Sequence, residues 1–113
     1  MKLSEAIRLG AMLKPQGFGS FNTNKSTSCA LGAAANAVGI TCQELCLFFP
    51  ILKKRVKHPM TVFHVRRRIF CLIYYLNDSS RWTREQIADW VETIESAQEK
   101  MSTESQVLEH VNG

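Results

Sequence analysis

Apolar positions recur at three- and four-residue spacing through most of this chain, which is the signature of amphipathic helices. Leu3, Ala6, Ile7 and Ala11 share one face over residues 3–13. Ser4 is placed to cap this first helix, with Glu5 complementing its N-terminal dipole. Residues 14–28 carry Pro15, Gly17, Gly19, Asn22 and Asn24 without periodicity and read as a loop. Phe18 and Phe21 are its two large apolar residues, either folded back onto the core or exposed as contacts.

Residues 29–38 form a small-residue helix that lets a neighbour approach closely, and Gly39 suits the position just past its end. Gly32 costs about 1 kcal/mol against Ala inside a helix and points to such a close contact. Thr41-Cys42-Gln43-Glu44 is a capping box that opens a third helix, limited by Pro50. Pro59 disfavours helix at His58. Thr61 then caps a predicted helix over 62–76, with Val62, Val65, Ile69, Leu72, Ile73 and Leu76 on its apolar stripe. Residues 77–82 read as a turn. A second capping box, Thr83 to Gln86, opens a helix through about residue 97, with Ile87, Trp90, Val91 and Ile94 inward. Residues 101–113 are polar and weakly periodic, so fraying is expected there. No strand pattern appears, because no stretch of four or more residues alternates apolar with polar.

These elements predict an all-α fold: a single compact domain of four to five short helices over residues 1–100, a long loop at 14–28 and a flexible acidic tail at 101–113. The expected core is Ile7, Leu31, Val38, Phe48, Phe49, Val65, Ile69, Leu72, Leu76, Ile87, Trp90, Val91 and Ile94. A length of 113 residues fits one domain and buries a core without disulfide support. An apolar fraction of 45% and a charged fraction of 21% exclude a disordered chain. No apolar run reaches the ~18–20 residues that span a bilayer, so no membrane partner is expected. Residues 1–19 lack a signal-peptide apolar core, Arg8 interrupting the apolar positions, which leads to the expectation of a cytoplasmic protein.

The opening Lys2–Leu13 block, the Ser28–Ala34 block and the closing Leu76–Glu92 block together resemble a group of small uncharacterised bacterial and prophage proteins. The resemblance covers roughly residues 2–95 and implies no stated activity. Relatives carry a Cys-Pro-x-Cys pair in the middle and a His-Leu-Asn-Asp-x-His block before the last helix, a set that looks like a four-ligand zinc site. This chain reads His58-Pro59-Met60-Thr61 and Tyr75-Leu76-Asn77-Asp78-Ser79-Ser80 at those positions. The resemblance therefore argues against zinc here, and no metal or cofactor is expected.

Charge changes the picture more than composition does. The net charge of +4 is the sum of +10 over residues 1–84 (13 basic, 3 acidic) and −6 over residues 85–113 (1 basic, 7 acidic). Between Leu45 and Asn77 stand Lys53, Lys54, Arg55, Lys57, Arg66, Arg67 and Arg68 with no acid among them. Tyr74 and Tyr75 lie nearby. Clustered cations with aromatic faces match the footprint of phosphate-backbone binding, against the plainer reading of a solvated or internally neutralised surface. Glu85, Asp89, Glu92, Glu95 and Glu99 line one face of the last helix and repel one another unless a basic group lies opposite.

Cysteines offer weaker leads. Cys29, Cys42, Cys46 and Cys71 number four, and without a sign of secretion they read as reduced thiols, mostly packed in the core. Cys42-x3-Cys46-x11-His58-x5-His64 nearly spaces a two-Cys, two-His finger, but Cys42 and Cys46 fall on a helical segment, and Pro50 and Pro59 break the helix that would present both imidazoles. Cys29 begins a helix, which lowers a thiol's pKa, yet a nucleophile also needs a base in reach. Ser28 as an N-cap explains the same residues without chemistry. Thr83–Val91 also echoes the first helix of a helix-turn-helix, but the acidic continuation does not suit a major groove.

The expectation is thus a non-enzymatic binding protein, a small accessory factor of the phage or mobile-element kind, contacting nucleic acid through residues 53–68. The first rival is a protein–protein adaptor or inhibitor using the acidic last helix or the Phe18/Phe21 loop. The second is a metal or thiol site at Cys42/Cys46 or Cys29. No catalytic residues are assigned.

Overall fold

The computed structural model describes residues 1–19, 26–61 and 65–112, with side chains through Met101. Among them are five α-helices: α1 (Leu3–Ala11), α2 (Ala30–Val38), α3 (Leu45–Phe48), α4 (Ile69–Asp78) and α5 (Arg84–Asn112). Two 3-10 turns, Cys42–Glu44 and Pro50–Lys53, flank α3. Two short strands, β1 (Arg55–Lys57) and β2 (Arg66–Arg68), pair antiparallel. The fold is predominantly helical, and the all-α expectation is corrected by this small sheet.

α1 buries Leu3, Ala6, Ile7 and Gly10, close to its predicted face. It lies against α2 at a separation only small residues allow. A Cβ added to Gly10 would stand 1.7 Å from the Ala33 carbonyl oxygen. The close approach expected from the small residues of α2 is therefore real, and Gly10 on the partner helix leaves no room for a side chain. Gly39 ends α2 in the left-handed region at φ 71°, as the C-terminal glycine signal requires. Leu45, Phe49, Leu52, Ile69, Ile73, Leu76, Ile87 and Val91 complete one core with Leu3, Ile7 and Leu31.

Several local expectations are corrected. Lys2, not Ser4, occupies the N-cap of α1, and Ser4 is buried inside the helix. Cys29, not Ser28, caps α2, its Sγ accepting the Gly32 N–H at 3.4 Å. The Thr41 capping box forms, with the Glu44 carboxylate accepting the Thr41 N–H at 3.0 Å and its hydroxyl at 2.9 Å, but it opens a 3-10 turn rather than a long helix. The second box forms in full: Thr83 N–H donates to Gln86 Oε1 at 2.8 Å and Gln86 N–H to Thr83 Oγ1 at 3.0 Å. α5 does not stop near residue 97. Its backbone stays helical to Asn112, consistent with a stretch that holds no Pro or Gly between those points.

The largest correction concerns the helix predicted over 62–76. α4 starts at Ile69, and Arg66–Arg68 are a strand. Its apolar stripe is not continuous, because Val65 is 46% exposed. Ile69 N–H donates to the Lys54 carbonyl at 2.9 Å, a cross-strand bond in place of a bond back into a preceding helical turn. Arg68 is thereby held extended (φ −62°, ψ 142°) as the N-cap of α4. Phe48, another expected core residue, is 49% exposed, and Phe49 fills the core beside it. Val38, Trp90 and Ile94 pack half-buried at the edge of the core.

Asn77 ties the loop after α1 to the rest. Its Oδ1 accepts from Gln16 Nε2 at 2.9 Å and from Ala30 N–H at 3.2 Å, and its Nδ2 donates to the Gly17 carbonyl at 3.0 Å. One buried amide thus fixes three segments, and truncating it would leave their polar groups unpaired. Phe18 is covered by the Arg81 guanidinium, 4.1 Å from its ring centroid, and Arg81 itself adopts a left-handed φ of 56°. Phe21 lies outside the described residues.

Candidate functional site: the basic ribbon

The seven predicted cations fall in one place. Lys53 ends the second 3-10 turn, Lys54 follows it, and Arg55, Lys57, Arg66, Arg67 and Arg68 make up all of the two strands except Val56. The register pairs Arg55 with Arg68, Val56 with Arg67, and Lys57 with Arg66. Side chains alternate across a strand, so Arg55, Lys57, Arg66 and Arg68 share one face of the ribbon. Val56 faces the other way and packs against the core, which seats the ribbon on the body. All seven cations are exposed.

This register is costly by itself. Like charges directly opposite on paired strands destabilise a sheet, and here two such pairs sit side by side. Among the described residues no carboxylate forms an ion pair with any of the seven. The described ion pairs all join α1 or its N-cap Lys2 to α5. A patch of this kind attracts polyanions and loses that attraction as salt screens it.

The acidic stripe of α5 is spent elsewhere. Arg8 of α1 donates from Nε to Glu85 at 3.0 Å and from Nη2 to Asp89 at 2.6 Å and Glu92 at 2.8 Å. The hydrogen bond that Arg8 donates to Asp89, then that to Glu92, raises the guanidinium far above its already high ordinary pKa. Lys2 reaches Glu99 at 2.7 Å, and that hydrogen bond raises the lysine pKa. The Ser4 hydroxyl donates to Glu95, both groups being buried. The basic partner the stripe needed is therefore Arg8, not residues 53–68.

Around the ribbon the two tyrosines differ. Tyr75 is 52% exposed and meets the His58 ring edge-on at 5.1 Å. Tyr74 is half-buried, and burial pushes its hydroxyl up to about 12. Only Tyr75 offers an aromatic face to a ligand. His58 Nδ1 accepts the Met60 N–H at 3.0 Å, which fixes the ring.

The cysteine leads are separated by the fold. Cys29 is buried, and that burial pushes its thiol up, against the lowering expected at a helix N-terminus. Beside it, Ser28 Oγ accepts from Arg84 Nη1 at 3.1 Å, and burial lowers the arginine's own pKa. Cys46 is half-buried, whereas Cys42 and Cys71 are exposed, contrary to the core positions expected for them. Among the described residues no three His, Cys, Asp or Glu side chains gather as metal ligands, and His64 lies outside those residues. No single helix among them is long and apolar enough to cross a membrane.

Sequence reasoning found the cations but placed Arg66–Arg68 on a helix. No family model, curated protein or solved structure matches this chain.

Proposed function

We propose that this protein is a non-enzymatic nucleic-acid-binding factor that grips phosphate backbone with Lys53, Lys54, Arg55, Lys57, Arg66, Arg67 and Arg68. One observation carries the reading: a solvent-facing two-stranded ribbon with cations opposite cations and no described carboxylate pairing with them. A polyanion relieves that repulsion and gains from releasing its own counterions. The acidic α5 supports the rival adaptor reading poorly, since its described carboxylates Glu85, Asp89, Glu92, Glu95 and Glu99 are already held by Arg8, Ser4 and Lys2. Phe18 is likewise engaged, by Arg81. The resemblance to small bacterial and prophage proteins accords with an accessory role in a phage or mobile element.

Fluorescence anisotropy of a labelled oligonucleotide across a salt series tests the reading. Log affinity should fall linearly with log salt, by about 0.9 per phosphate neutralised on a duplex and about 0.7 on a single strand. Replacing Arg55, Lys57, Arg66 and Arg68 together by Glu should lower affinity by on the order of a thousandfold or more. Replacing Lys100, which lies off the ribbon, by Glu should leave affinity nearly unchanged. Salt-insensitive binding, or binding untouched by the ribbon reversal, would overturn the reading.

A further inference from the structure

The ribbon has a second face. Strand alternation carries His58 to the side of Val56, and Val65 to the side of Arg67, so these four lie opposite the four-cation face. His58, Thr61, Val65 and Arg67 line a largely apolar cleft of about 240 Å³ there. That volume is below the roughly 300–1,000 Å³ typical of pockets for drug-sized ligands, so it suits one flat ring system. Its walls have the chemistry a nucleobase uses. Arg67 supplies a planar guanidinium, His58 a ring fixed by Met60, and Val65 an apolar surface. The exposed Tyr75 ring extends the aromatic side beyond His58. Arg66 and Arg68, on either side of Arg67 in the chain, point to the opposite face for the phosphates.

Resting on the nucleic-acid reading above, we propose that the ribbon binds unpaired rather than duplex strands, with one base seated in the cleft of His58, Thr61, Val65 and Arg67. Bases in a duplex are stacked and paired and present only their edges, so none can enter the cleft without being flipped out. An unpaired strand offers its base faces freely, and stacking on aromatic or guanidinium planes is tolerant of sequence.

The test measures affinity for a single-stranded DNA, the same sequence as RNA, and its DNA duplex at one salt concentration. The unmodified protein should bind one or both single strands about tenfold or more tighter than the duplex. Arg67→Lys keeps the charge but loses the planar group. It should weaken single-strand binding severalfold, and by a larger factor than it weakens duplex binding. His58→Ala should act in the same direction, with its melting curve checking that the fold is intact. Duplex binding equal to or tighter than single-strand binding overturns the proposal and leaves the nucleic-acid reading standing. So does a single-strand affinity indifferent to Arg67→Lys. Failure to bind any of the three strands at low salt overturns both.

Discussion

The α1–α5 seam and the β1–β2 ribbon use the same residue types in opposite ways. In the seam, Arg8 is enclosed by Glu85, Asp89 and Glu92, and Lys2 reaches Glu99. In the ribbon, Arg55 faces Arg68 and Lys57 faces Arg66. One region spends its charge on holding two helices together. The other leaves its charge exposed, with no ion pair to it among the described residues. The difference teaches that a cluster of charge is informative only once its internal partners are known. Had α5 lain beside the ribbon, the seven cations would be structural, and the net charge of +4 would describe the surface fairly.

The strongest way to break the comparison is to dislodge α1. Gly10→Val places side-chain atoms where the Ala33 carbonyl already stands. It should cost about 3 kcal/mol or more, read as a lowered urea midpoint. A midpoint unchanged from that of the unmodified protein would mean that α1 and α2 do not pack this closely in solution.

A milder change acts on the seam alone. Arg8→Met leaves three neighbouring carboxylates without their cation, and should destabilise by about 1 kcal/mol at low salt. The loss should shrink in 1 M NaCl, where screening weakens both the attraction removed and the repulsion left behind. Thermal melts at the two salt concentrations check it.

The ribbon should respond with the opposite sign. Arg66→Thr removes one of two like-charge pairs and adds a strand-favouring residue. Stability should rise by roughly 0.2–1 kcal/mol while nucleic-acid affinity falls. A loss of stability would show that Arg66 has a partner within the fold, and the contrast between the two regions would fail.

The smallest effect is a pH dependence that belongs to neither region. Burial raises the Cys29 thiol above its ordinary value of 9.0. A thiol raised in the folded state contributes stability that is complete below its unfolded pKa and is lost as pH rises through the folded one. The urea midpoint should therefore decline above about pH 9, and Cys29→Ala should flatten that decline. Tyr74, at about 12, acts in the same direction only at higher pH. Thiol reagents should label Cys42 and Cys71 in the native protein well before Cys29.

Much of the fold was legible locally. The periodicity around Ile7 and around Ile87 and Val91, the glycine after α2 and the reciprocal Thr83–Gln86 cap are all short-range signals, and each stands where expected. The ribbon was not legible, because three-residue strands are too short to show a period of two. β2, being three arginines, has no apolar residue to mark a face. The helical pattern through Val65 and Ile69 was genuine, but the Lys54 carbonyl captured the Ile69 N–H instead. The candidate site was half legible: the seven cations were countable, but their opposition across two strands and the cleft behind Arg67 were not.

The sequence alone determined how many charges this protein carries, their order along the chain and several of its helix boundaries. Those follow from composition and from interactions spanning three or four residues. Which charges are neutralised was decided only by the tertiary structure. Arg8 meets partners 77 to 84 residues away, and Arg55 faces Arg68 on the neighbouring strand. The physical reason is range: in salt, exposed charges act over about 8–10 Å, and only folding sets which residues stand that close.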